Sequence, residues 1–89
     1  MKKNLYSSFQ KGKQLVCQKK LILLNDEYNS FDHVIDCLIA ICEHNSLQAE
    51  QCALIAHNNG SCVIKTGELT DLLSLRNDLG LYNLDVKIL

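Results

Sequence analysis

The sequence predicts a two-layer α+β domain of order β-α-α-β-α-β, with a three-stranded antiparallel sheet and helices on one of its faces. Three observations predict it. The aliphatic run Leu21-Ile22-Leu23-Leu24 breaks abruptly into the polar stretch Asn25 to Ser30, which fits a short buried strand better than a helix. Three segments with helical spacing follow, each opened by a residue that can cap it. The chain closes with Leu84, Val86 and Ile88 alternating with Asn83, Asp85 and Lys87, the period of a half-buried strand. Strands and helices in this order bury their apolar faces by stacking as two layers.

Residues 1–18 (MKKNLYSSFQKGKQLVCQ) hold neither a 3.6 nor a 2.0 period and are expected to be a flexible basic tail, with strand pairing confined to the neighbourhood of Leu15 to Cys17. The core domain then occupies 19–89, and Lys19 to Leu24 is its first strand. Asn29 or Ser30 caps the next helix, and Asp32 puts an acid in its first turn, where the helix dipole favours one. Phe31, Val34, Ile35, Leu38, Ile39 and Cys42 form its apolar face. Ser46 is expected to cap a second helix with Leu47, Ala49, Cys52, Ala53 and Ala56 inward, and Asn58-Asn59-Gly60 to stop it. Ser61 to Lys65 reads as a strand. Thr66 is then expected to cap a third helix, with Glu68 in its first turn, Leu69, Leu72, Leu73, Arg76 and Leu79 as its stripe, and Gly80 as its end.

The formal charge of −1 conceals a division. Residues 1–20 carry six lysines and no acid, while residues 21–89 carry ten acids against two lysines and one arginine. An acidic core excludes nucleic acid as the main partner, because phosphate binding needs a basic face. No apolar run reaches membrane-spanning length, and the N-terminus lacks the apolar stretch of about 7–15 residues of a secretion signal, so a cytoplasmic monomer is expected. The five cysteines are odd in number and without CxxC spacing, which reads as reduced core residues rather than disulfides. A zinc site from Cys37, Cys42, Cys52 and His57 or His44 would need four converging ligands, yet Cys37 and Cys42 sit about 140° apart on one helix. No metal and no cofactor are expected.

The stretch with the most chemistry is Leu21 to Val34. It delivers amide and carboxylate groups from the end of a strand to the mouth of an amphipathic helix, an edge suited to a ligand with one cationic and one apolar end. His57 closes the second helix. If the two helices pack as a hairpin on the sheet, its imidazole approaches Asn25, Asp26 and Glu27. From the residues alone His57 reads as a structural histidine with Asn25-Asp26 as turn chemistry, or as a general base oriented by Asp26 or Glu27 with no nucleophile beside it.

The run LLNDEYNSFDHV, followed 23 residues after Val34 by HNNG, resembles the ClpS family, adaptors that deliver proteins with destabilising N-terminal residues to Clp AAA+ proteases. The family pattern is an apolar strand, Asn-Asp-Asp-Tyr-Thr, a helix with a Val six residues after the Tyr, and His-x-x-Gly. It appears here as Asn25-Asp26-Glu27-Tyr28-Asn29, Val34, and His57 with Gly60, over roughly Lys20 to the C-terminus. The resemblance implies the same β-α-α-β-α-β fold and a non-enzymatic adaptor. Asn25 and His57 would accept hydrogen bonds from the target's free amine, and Asp26 and Glu27 would supply charge. Asn29, Phe31, Val34, Ala53, Ala56 and Leu84 would wall a hydrophobic hole for a first residue such as Leu, Phe, Tyr or Trp. Phe31 stands where a gating Met is common and Ala53 where a larger aliphatic residue or Met is common, which implies a shifted preference among those residues.

Thr66 and Glu68 resemble the start of the helix that docks on the unfoldase, ClpA- or ClpC-like. Leu73, however, stands where a Lys is expected, and the following segment is a few residues short. The tail that serves the family as a handle is short and basic here. The alternative is a ClpS-like interaction module without N-terminal-residue binding. The ribosomal stalk's C-terminal domain is a similar fold, richer in Lys and Gly on its working helix.

Overall fold

The computed structural model describes residues 18–89. Apart from Gln18, the tail expected over 1–18, with its pairing near Leu15 to Cys17, lies outside them. Six elements follow in order: β1 (Lys19–Leu24), α1 (Phe31–Cys42), α2 (Ser46–Asn59), β2 (Ser61–Gly67), α3 (Leu69–Leu81) and β3 (Val86–Ile88). The sheet order is β2-β1-β3, with β1 antiparallel to both neighbours. A central strand explains why the Leu21 to Leu24 run is continuous rather than alternating. Leu21 and Leu23 join the core with Leu38, Leu72 and Leu79, while Ile22, on the other face opposite Val63 and Lys87, is buried as well.

The caps differ in detail from the sequence expectation. Ser30 begins α1, its hydroxyl accepting from the His33 N–H at 3.1 Å. Asn45, rather than Ser46, caps α2: its side chain accepts from the Gln48 N–H at 2.8 Å and the Gln48 side chain accepts from the Asn45 N–H, a capping box. Leu47 is exposed instead of inward, because it lies about 200° round the axis from Ala49 and so falls off the small-residue stripe Ala49, Cys52, Ala53 and Ala56. Cys37 and Cys42 are both buried, since α1 packs against α2 on one side and α3 on the other.

The start of α3 is corrected most. Thr66 does not cap it. β2 continues through Gly67, with Thr66 opposite Lys20, so backbone pairing to β1 holds Thr66 in the sheet. Glu68 is the N-terminal cap of α3 without a side-chain capping bond, and Leu69 is left exposed. Gly80 lies inside the helix instead of ending it. The reversal is made by Asn83, whose φ of 68° is left-handed, a conformation that asparagine tolerates better than most residues.

Between Leu21 and Ile22 the β1–β2 register slips by one, leaving Ile64 as the extra residue of a β-bulge. Its carbonyl accepts from His44 Nε2–H at 3.1 Å, an acceptor that fixes which ring nitrogen carries the proton. His44, which the sequence offered as a zinc ligand, thus serves the sheet edge. Among the described residues no helix is long and apolar enough to cross a membrane, and no three His, Cys, Asp or Glu side chains are disposed to hold a metal ion.

Candidate functional site

Where β1 ends, the Asn25 N–H donates to the Gly60 carbonyl at 2.9 Å. That single bond joins the strand end to the turn after α2, three residues beyond His57. Gly60 makes the turn at φ 95°, where a side chain would be strained although space for a Cβ is open. Sequence-distant groups therefore meet at one rim. Asn25, Asp26, Glu27, Asn29, Phe31, Val34, Ala53, Ala56 and His57, together with Leu23 and Leu24, line one open cavity of about 480 Å³. That volume falls within the range of small-ligand sites.

The wall has two characters. Ala53 and Ala56 on α2 are buried and small, so the floor between them and Val34 is wide. Phe31, the first residue of α1, stands at 39% exposed beside it. Polar groups gather at the strand end and at His57. Leu84 is not part of the wall. Its N–H returns to the Leu79 carbonyl at the close of α3 and its side chain is buried in the core, while Leu23 and Leu24 line the cavity instead. These two were missed from the sequence because a continuous apolar run does not say which residue turns toward which face. Thr66 and Glu68 are exposed at the far end of β2 from the rim.

Asp26 organises the rim. Its Oδ1 accepts from the Tyr28 and Asn29 N–H groups, both at 2.9 Å, and its Oδ2 accepts from the Asn29 side-chain amide at 3.0 Å. The same Asn29 amide nitrogen donates to the Asn83 carbonyl at 2.8 Å, and His33 Nε2–H donates to the neighbouring Tyr82 carbonyl at 2.9 Å. The loop before α1 is thereby tied to the turn between α3 and β3. Asn83 carried a sequence signal for this role, an asparagine three residues after Gly80. Each carboxylate oxygen can accept more than one donor, so Asp26 retains acceptor capacity toward a ligand.

Burial alone would raise the Asp26 carboxyl above its ordinary value. The hydrogen bonds from Asn29 and Tyr28, with His33 adding a weak attraction, outweigh burial and hold it lower. A carboxyl lowered in the folded chain stabilises fully above its ordinary value of 3.8, and that stability is lost as pH falls through the lowered value. Urea midpoints followed from about pH 5 to about pH 2 should therefore fall more steeply for the natural chain than for Asp26→Asn. Parallel curves would remove Asp26 from the acid-sensitive part of stability.

Comparisons with known proteins bear on the same segments. The family model described as ATP-dependent Clp protease adaptor protein ClpS matches residues 17–80. ATP-dependent Clp protease adapter proteins ClpS of Campylobacter jejuni strains 81-176 and RM1221 are each 44% identical over 52 residues, covering 56% of this chain and 54% of theirs. The chain thus spans about half the length of the curated relatives it matches. The solved structure of Agrobacterium tumefaciens ClpS2 bound to L-phenylalaninamide has the same fold, with a TM-score of 0.75 at 22% identity over 81% of this chain and 94% of that one.

Proposed function

The chain belongs to the ClpS family of ATP-dependent Clp protease adaptor proteins, and from that premise we propose that its cavity captures the N-terminus of a target protein for delivery to a Clp AAA+ unfoldase. The observation that carries this reading is the shared wall: acceptors and acids at one end, a small-residue floor at the other.

A protein's N-terminal amine is a cation with three donors, and leaving water costs it several kcal/mol unless acceptors and charge replace the lost hydration. Asn25 supplies a side-chain carbonyl, His57 an imidazole nitrogen that accepts when unprotonated, and Asp26 and Glu27 the negative charge. The first side chain enters between Phe31, Val34, Ala53 and Ala56, with Asn29 at the edge. The reading is further supported by the solved ClpS2, which is bound to an amino-acid amide having a free amine and a phenyl ring. Thr66 and Glu68, at the other end of β2, leave the cavity clear if they contact a ClpA- or ClpC-like unfoldase.

Calorimetry with peptides that differ only in their first residue tests the proposal. Leu, Phe, Tyr or Trp should bind roughly 10- to 100-fold more tightly than Ala, the gain from burying one large apolar side chain. The wide floor at Ala53 should favour the rings over Leu, and Ala53→Met should narrow that difference. Indifference to the first residue would end the reading.

A further inference from the structure

Three backbone carbonyls of one connection hold the cavity from outside. Tyr82, Asn83 and Asp85 lie between α3 and β3, and none of them lines the cavity. The Asp85 carbonyl accepts from the Leu24 N–H at 2.9 Å, the Asn83 carbonyl from the Asn29 side-chain amide at 2.8 Å, and the Tyr82 carbonyl from His33 Nε2–H at 2.9 Å. Leu24 and Asn29 are both wall residues. The turn is itself fixed, because the Tyr82 and Leu84 N–H groups return to the Leu79 carbonyl and the Asn83 N–H to the Gly80 carbonyl. Its direction depends on the left-handed φ of 68° at Asn83.

Asn29 passes that constraint to Asp26. An amide nitrogen of this kind has two hydrogens, and both are used: one on the Asn83 carbonyl, the other on Asp26 Oδ2 at 3.0 Å. Turned the other way, the amide would set its oxygen against a carbonyl and a carboxylate oxygen at once, so one orientation alone is bonded. A serine or threonine hydroxyl, with one hydrogen, would serve only one of the two acceptors, and an aspartate neither. A residue 54 positions away thus restrains the acid at the rim.

We propose that the 82–85 turn is a positioning element for the amine site, in which Asn83 aims Asn29 and Asn29 aims the Asp26 carboxylate toward the incoming amine. Resting on the reading that the cavity takes a free N-terminus, this gives a part in recognition to Asn83, a residue that never touches the target. A carboxylate already held by its donors loses little freedom when the amine arrives, which is how positioning becomes affinity.

The test measures a Phe-initiated peptide, with its amine free and acetylated, against four variants of the full chain. Asn83→Val strains the left-handed turn, whereas Asn83→Gly keeps it together with its carbonyl. Asn83→Val should weaken the free-amine peptide on the order of 10-fold, Asn83→Gly by less than about twofold, and neither should move the acetylated peptide. Asn29→Ala should match Asn83→Val in this selective loss, and joining the two should add nothing, because the turn acts through Asn29. Where Asn83→Val folds poorly, the less strained Asn83→Ala takes its place. A second readout needs no peptide: the Asp26 carboxyl, followed by carbon NMR, should titrate higher in Asn29→Ala and Asn83→Val than in the natural chain or Asn83→Gly, because a donor to the carboxylate is lost. An unmoved titration, equal weakening of both peptides, or additive losses would overturn the turn's role. Equal binding of both peptides by the natural chain would instead remove the amine reading, and the titration would still decide whether the turn restrains Asp26.

Discussion

Acetylating the amine of a Phe-initiated peptide is expected to weaken its binding by about 100-fold or more, the loss of two or more charge-assisted hydrogen bonds. Acetylation removes the cation and two of its donors and adds a methyl at the rim, while leaving the phenyl ring untouched. Its effect therefore reports on Asn25, Asp26, Glu27 and His57 rather than on the apolar floor. His57→Ala should lower affinity for the free-amine peptide by about 10-fold or more and have almost no effect on the acetylated one, because it deletes a partner the acetylated peptide no longer needs. Fluorescence anisotropy with both peptides against both chains supplies the four affinities. Equal binding of free and acetylated peptides would leave a ClpS-family interaction module whose partner is not an N-terminus.

The second large effect concerns the fold. Leu38 lies in the middle of α1 with no exposed surface, packed in one cluster with Leu21, Leu23, Leu72 and Leu79. Leu38→Ala should cost about 2–5 kcal/mol, the transfer energy of the lost methyl groups plus the cavity they leave. In a domain this small each kcal/mol corresponds to roughly 4–8 °C, so the thermal midpoint should drop by at least about 10 °C. Leu47→Ala is the control, because Leu47 is 65% exposed and should stay within about 0.5 kcal/mol of the natural chain. Similar losses from the two substitutions would mean that α1 does not hold the helices to the sheet.

Much of this molecule is legible from short stretches. Leu21 to Leu24 reads as a strand because it is interrupted so soon. Asn25 to Asn29 and His57 to Gly60 stand out as polar groups at the ends of elements, where turn chemistry and ligand chemistry use the same residue types. The misreadings share one cause. Thr66 and Gly80 have the residue types of a helix cap and a helix stop, but Thr66 is held by β1 and Asn83 makes the turn that Gly80 was expected to make. Leu84 has the apolar character and alternation of a wall residue, yet its N–H returns to Leu79 and its side chain is buried in the core.

What the sequence determined alone is the order of elements and the caps of α1 and α2 to within one residue, which rest on interactions between residues a few positions apart, and the family, which rests on two motifs read together. The tertiary structure decided the rest: β1 at the centre of the sheet, the bulge that His44 satisfies, and the cavity that Asn25 and His57 share through the Gly60 carbonyl. These depend on which distant backbone groups pair, and periodicity carries no record of that. A strand's spacing states that one face is buried, but only packing states against what.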